Sequence, residues 1–361
     1  MQQIRKHGGN LKEVGELFAI DEKSLLDFSA NINPLGPPEV VYDVIKNNLD
    51  KISQYPDSRN LELKKVLAEH LKIPFENITL GNGASELIFL ITNHLRPQNV
   101  WIPVPTFSEY EIAAKSSQAN IVRLPLKGEN WNYFDLDKLN NLTKNDVVFL
   151  CNPNNPTGQL YSQQLLNEIF EICLKKEVYL VIDESFLDFL EDFEEISFIK
   201  KSRNYNNLII LYSLTKFFAI PGIRLGAMIT NCSLINSFEK AKDPWNINIF
   251  AQLAGAKALK DKDYIKKTLD FYQIERDFLY NELMKISGLF PLKPSANYIL
   301  IKLLDPNTST NIYNALVIQS IIVRNCNSYP LLGEEYIRVA IKKREDNLLL
   351  INKLKIIIKS K

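Results

Sequence analysis

The chain has 361 residues, 46% of them apolar, with 43 basic and 42 acidic side chains and a formal net charge of +1. A chain of this length and composition buries a large core and is expected to divide into two domains. Near-zero charge, with both signs spread along the chain, argues against nucleic acid or an anionic membrane as the main partner and leaves room for a small anionic ligand.

The start of the chain, Met1 to His7, holds no apolar h-region, and no later apolar run nears the roughly 18 residues of a membrane span, so a cytoplasmic protein is expected. Cys151, Cys173, Cys232 and Cys326 are scattered without CxxC spacing, and His7, His70 and His94 form no ligand set. Neither a disulfide framework nor a metal site is expected.

Two polar, glycine- or proline-rich patches come first: His7-Gly8-Gly9-Asn10, then Asp27-Phe28-Ser29-Ala30-Asn31-Ile32-Asn33-Pro34. Both predict irregular backbone, as ordinary surface loops also do. Val40, Val41, Val44, Ile45 and Leu49 follow helical spacing, Tyr55-Pro56-Asp57 breaks the chain into a turn, and residues 61–71 repeat the helical pattern. From there short apolar runs alternate with helical ones, at residues 78–80, 100–104, 121–126, 147–151, 178–182, 208–211 and 225–229. This alternation predicts an α/β fold with a mostly parallel sheet, helices on both faces, and ligands at the carboxyl ends of the strands. A long helical region follows to about residue 286. Strand signals at 298–302, 321–324 and 336–341 then alternate with helices as a smaller α+β domain. The expected divisions are an N-terminal segment (1–48) packed with the small domain and over the site, a large domain (49–243), and an interdomain helix with the small domain (244–361).

The loops after the strands carry the polar chemistry. Gly81-Asn82-Gly83-Ala84-Ser85 lies between a strand and a helix, where backbone N–H groups and Ser85 can point at an anion, although a plain turn reads the same way. Asp183 ends the apolar run 178–182, where a carboxylate is costly unless it meets a cation. Asn155 sits in an Asn-Asn-Pro-Thr-Gly turn. Ser213-Leu214-Thr215-Lys216 puts a lysine between two hydroxyls and Arg224, eight residues on, directly after a buried strand. A single lysine there is ordinarily solvated. One held where its charge is disfavoured can attack an aldehyde, while Ser213 and Arg224 offer a hydroxyl and a bidentate cation to a phosphate. Arg338, in the apolar run 336–341, and Arg324, after 321–323, each need an anion, which a salt bridge within the protein would also supply.

In order and spacing, Asn-Pro-x-Asn-Pro-Thr-Gly, Asp-Glu-Ser-Phe, Ser-x-Thr-Lys with its arginine, and the late Ile-Arg-Val resemble the fold type I pyridoxal-phosphate enzymes of the aminotransferase class I/II family. The resemblance spans essentially the whole chain. It implies an aspartate-aminotransferase-like large domain with a seven-stranded sheet, and pyridoxal 5'-phosphate as cofactor. It further implies Lys216 as the Schiff-base lysine, Asp183 on the pyridine nitrogen and Asn155 on the ring oxygen. Ala84, Ser85, Ser213 and Arg224 would surround the cofactor phosphate and Thr215 would also bind the cofactor, with Phe107 stacked on the ring and Arg338 on a substrate carboxylate. Tyr55 matches a tyrosine that reaches the phosphate in the partner subunit, so a homodimer is implied.

The nearest branches are the histidinol-phosphate aminotransferases and the L-threonine-O-3-phosphate decarboxylases of the cobalamin pathway, both acting on a small phosphorylated substrate. The two N-terminal patches, the run Pro244-Trp245-Asn246-Ile247-Asn248, and Phe186 where most aminotransferases have tyrosine lean toward the decarboxylases. In that reading His7, Asn10 and Asn33 from the N-terminal segment join Arg324 at the substrate phosphate; Arg338 holds either the carboxylate or the phosphate. A non-catalytic ligand-sensing domain of a transcription regulator shares this fold, but no basic helix-turn-helix pattern precedes Gln54.

Overall fold

The computed structural model describes residues 8–359. A short strand, β1 (Leu26–Asp27), precedes seven strands of one sheet: β2 (Ile78–Gly81), β3 (Asn99–Val104), β4 (Asn120–Pro125), β5 (Val147–Cys151), β6 (Tyr179–Asp183), β7 (Leu208–Ser213) and β8 (Gly226–Ile229). Five follow: β9 (Leu289–Pro291), β10 (Tyr298–Leu303), β11 (Ile321–Ile322), β12 (Arg324–Asn325) and β13 (Tyr336–Ala340). Each of the seven predicted sheet runs is a strand, within two residues at either end.

The large sheet has the order β2-β8-β7-β6-β5-β3-β4 and is parallel except for β8, which runs antiparallel to both neighbours. Its strands read as unbroken apolar runs because both faces are covered. On β5, Val147, Phe149 and Cys151 pack on one side with the helices Ala84–Leu95 and Glu109–Ser116, while Val148 and Leu150 face the other core. The register sets Cys151 beside Asp183 and Ser213 beside Gly226. One edge of the sheet thereby gathers the ends of five strands.

The C-terminal strands form a second, four-stranded antiparallel sheet in the order β12-β13-β10-β9. The apolar run 321–324 is not one strand: β11 pairs in parallel with β1, and β12 with β13. The N-terminal segment is stitched to this unit by Phe28 N–H to Ile322 O at 2.7 Å and Ala340 N–H to Phe28 O at 2.8 Å. Those bonds deliver Ser29, Ala30 and Asn31 to the edge of the large sheet. The long helical region is two helices, Ile249–Lys260 and Lys262–Met284, with Asp261 capping the second through Tyr264 N–H. No helix among the described residues is long and apolar enough to cross a membrane.

Candidate active site

A cavity of about 390 Å³ lies against the carboxyl ends of β5, β6 and β7. Eleven residues singled out in the sequence line it. They are Ala84, Ser85, Phe107, Asn155, Asp183 and Ser213, together with Thr215, Lys216, Arg224, Arg324 and Arg338. Tyr55 is not among them. It is 79% exposed and lies against Trp245 with ring centroids 4.8 Å apart and planes tilted by 31°. His7 lies outside the described residues. Asn10 is exposed at the start of the helix Leu11–Phe18, its amide donating to Glu13 at 3.3 Å.

Asn33 was expected at the substrate but does not line the cavity. Its amide nitrogen donates to Phe217 O at 2.9 Å and reaches Tyr264 Oη and Thr268 Oγ1 at 3.0 and 3.1 Å, and its own N–H donates to Lys216 O. With its hydrogen-bonding capacity spent inside the protein, Asn33 braces the short helix Leu214–Phe217 that carries Lys216.

Lys216 projects from that turn into a largely desolvated space. Burial, then the nearby Arg338 and Arg224 charges, push its amine down from 10.5 to about 8. The neutral, nucleophilic form is therefore accessible near neutral pH. Asp183 is buried at the end of β6. Its Oδ2 accepts the Tyr110 hydroxyl at 2.7 Å and its Oδ1 accepts Ser185 N–H at 3.0 Å. Burial raises its pKa, and these hydrogen bonds act against the rise.

One wall of the cavity depends on close approaches at two glycines. Gly83 precedes the helix Ala84–Leu95 with φ +81, and a Cβ there would stand 2.9 Å from the Arg224 Cζ. A Cβ on Gly226 would meet Ala84 N at 2.6 Å. Two glycines thus let a guanidinium and the free N–H groups of a helix N-terminus converge. Arg224 itself adopts a left-handed φ of +63, uncommon for a side chain of this size. Ser213 Oγ and Thr215 Oγ1 lie 2.9 Å apart on the same wall.

Arg324 and Arg338, also in the cavity lining, are direct cross-strand partners on β12 and β13. Like charges in that register repel unless an anion joins them. Arg338 is 4% exposed; it donates to Asn155 Oδ1 and, at 2.6 Å, to Ser29 O, while its Nε is buried without a partner. Arg324 donates to Ser328 Oγ at 3.0 Å and lies over Tyr329. Asn155 is aimed by its neighbour Asn154, which accepts from Thr106 and Tyr298 and donates to Pro105 O.

Sequence reasoning did not single out Tyr110, Ser185 or Tyr329 for the site. Tyrosine and serine in mixed runs carry no periodic signal, so only the fold places them. The donor set suits pyridoxal phosphate on this geometry alone: a glycine-made anion cradle, a lysine amine of lowered basicity, a buried carboxylate and an orphaned guanidinium Nε share one cavity.

Gly83→Ala is expected to push the Arg224 guanidinium out of place and weaken pyridoxal-phosphate binding by about tenfold or more, a charge-assisted contact being worth roughly 1.5–3 kcal/mol. Gly222→Ala, where a Cβ meets nothing within 4 Å, serves as the control. Equal affinities by fluorescence titration would remove Gly83 from the cradle.

The sequence model of the aminotransferase class I and II family matches residues 23–354. The chain is 37% identical to the threonine-phosphate decarboxylase of Salmonella typhimurium, over 94% of this chain and 93% of that one. It is 34% identical to the adenosylcobalamin biosynthesis bifunctional protein CobDQ of Leptospira interrogans, over 95% of this chain and 40% of that one. Among solved structures, the histidinol-phosphate aminotransferase of Clostridium acetobutylicum is similar with a TM-score of 0.86 and 34% identity, covering 93% of this chain and 100% of that one.

Proposed function

The chain belongs to the aminotransferase class I and II family, and on that premise we propose that it is a pyridoxal-phosphate enzyme that decarboxylates L-threonine O-3-phosphate to aminopropanol phosphate, in cobalamin biosynthesis. The observation that carries this reading is the pair Arg324 and Arg338, opposed across β12 and β13 in the cavity that holds Lys216. Two adjacent guanidiniums suit a substrate with two anions, a phosphate and a carboxylate. The 37% identity to a threonine-phosphate decarboxylase supports it.

When bound, pyridoxal phosphate supplies an aldehyde and an electron sink for the pair released at the substrate α-carbon. The protein does the rest. Ala84 and Ser85 N–H groups, Ser213 and Arg224 would hold the cofactor phosphate, and Phe107 would cover the ring. Asp183 would serve the ring nitrogen as a buried carboxylate, and Asn155 the ring oxygen. Phe186, edge-on to Tyr298 at 5.1 Å, offers no hydroxyl there. The two arginines fix which α-carbon bond is aligned to break. If that is the carbon–carbon bond, carbon dioxide leaves and the Lys216 ammonium returns a proton to the α-carbon.

Tyr55 is exposed beside Leu49, Ile52 and Trp245, themselves exposed apolar side chains. This supports a homodimer in which each Tyr55 would complete the other subunit's phosphate site.

A second reading, histidinol-phosphate aminotransferase, is favoured by the 34% identity and high TM-score of one such structure. There the paired arginines would take the two carboxylates of glutamate. The test offers L-threonine O-3-phosphate with no keto acid and, separately, L-histidinol phosphate with 2-oxoglutarate. Carbon dioxide and aminopropanol phosphate are expected in the first mixture, since a decarboxylase needs no amino acceptor. Glutamate in the second mixture alone would establish the aminotransferase instead.

A further inference from the structure

We propose that Tyr110 is the positioning residue for Asp183, holding the carboxylate oriented and ionised toward the cationic ring nitrogen of the cofactor. This rests on the reading that the cavity takes pyridoxal phosphate through Asp183.

Each Asp183 oxygen has one fixed donor, Tyr110 Oη at 2.7 Å on Oδ2 and Ser185 N–H at 3.0 Å on Oδ1. Those contacts approach from different elements, the helix Glu109–Ser116 and the loop after β6. A carboxylate oxygen has two lone pairs, so one on each oxygen stays available to the cavity. The Tyr110 ring is fully buried, stacked on Phe149 with centroids 5.0 Å apart and an interplanar angle of 10°, and edge-on to Phe107 at 5.7 Å. Packed on two sides, the phenol cannot swing away from the carboxylate. The ring it touches edge-on is also the one expected against the cofactor.

Of the side chains facing Asp183, Ser185 and Tyr110 both act to keep it ionised, and Tyr110 is the one fixed by packing outside the cavity lining. Glu184, next in the chain, turns to Ser197 Oγ and Phe198 N–H. Cys151, its neighbour on β5, donates to Pro153 O, and burial holds its thiol neutral up to about 12. Tyr298 gives its hydroxyl to Asn154 O. Burial and the Asp183 charge keep the Tyr110 phenol far above its usual range, so it remains a donor at every working pH. A tyrosine satisfied by a backbone carbonyl would serve packing equally well. This one spends its hydroxyl on a carboxylate that lines the cavity.

The experiment measures pyridoxal-phosphate affinity for the wild type, Tyr110→Phe, Asp183→Asn and the double variant. It is repeated with an analogue in which carbon replaces the ring nitrogen. Tyr110→Phe is expected to weaken pyridoxal phosphate by about tenfold, the size of a lost hydrogen bond to a charged group. In the Asp183→Asn background, and with the carbon analogue, the same substitution is expected to change nothing further. Weakening that adds to Asp183→Asn, or that is equal for cofactor and analogue, would reduce Tyr110 to a packing residue and overturn the proposal, as would no weakening at all. Should Asp183→Asn not fold, the analogue arm decides alone. Failure of the underlying reading looks different: the wild type would then not bind pyridoxal phosphate, or would bind it and the analogue equally.

Discussion

Lys216→Ala is expected to abolish turnover and the borohydride-fixable link to pyridoxal phosphate, while the phosphate cradle still retains some cofactor. The reason is chemical as well as positional: on the proposed reading the amine would be both the nucleophile toward the aldehyde and the proton donor at the α-carbon. Its environment sets the pH dependence. With the ammonium pushed down to about 8 by burial and then by Arg338 and Arg224, the rate of linkage in the wild type should rise with pH and be half-maximal near that value.

The same shift has a stability consequence. Between about 8 and the ordinary 10.5, the unfolded chain binds the proton that the folded apoprotein has released, so unfolding free energy rises with pH across that window. Below it, the buried ammonium destabilises the apoprotein by on the order of 3 kcal/mol. Lys216→Met should therefore stabilise the apoprotein at pH 7, by an amount that vanishes above about pH 10.5. Thermal unfolding at pH 7 and 10.5 measures the difference; a pH-independent gain would show that Lys216 is not held in a charge-disfavouring site. Mass spectrometry after reduction supplies the other check. A reduced adduct at another lysine would refute the assignment.

Asp183→Asn is expected to keep the fold and bind cofactor more weakly, with turnover lowered by roughly two to three orders of magnitude, as when one preorganised charge-stabilising group is removed elsewhere. The amide oxygen can still accept from Ser185 N–H, so part of the local geometry survives. What is lost is the negative charge. Steady-state rates on L-threonine O-3-phosphate, normalised to bound cofactor, test this; a rate within a few-fold of wild type would take Asp183 out of the role.

Much of this architecture was legible in the chain. The unbroken apolar runs around Phe149, Val181 and Ile210 announce strands buried on both faces, and helical spacing at 61–71 marks the helix Leu61–Leu71 at the same bounds. Asp183 and Lys216 were legible too, because a charged residue at the end of an apolar strand is costly without a partner, while Asn155 and Arg224 were legible through the family resemblance. Asn33 shows the limit of that reasoning. A polar residue in a proline-rich patch fits a ligand contact or a backbone brace equally well, and its bonds to Phe217 O and Lys216 O come from residues nearly 200 positions away in the chain.

The sequence by itself determined the strand order along the chain, the two-layered burial of the large sheet and the residue types at its carboxyl edge, since periodicity and the penalty on buried charge are local properties. Tertiary structure alone decided three things: that β12 and β13 bring Arg324 opposite Arg338, that Tyr110 reaches across from its helix to Asp183, and that Ser29 on the N-terminal segment meets Arg338. Each is a contact between segments distant in the chain, set by sheet register and packing. None of the three leaves a trace in the spacing of residues along one strand.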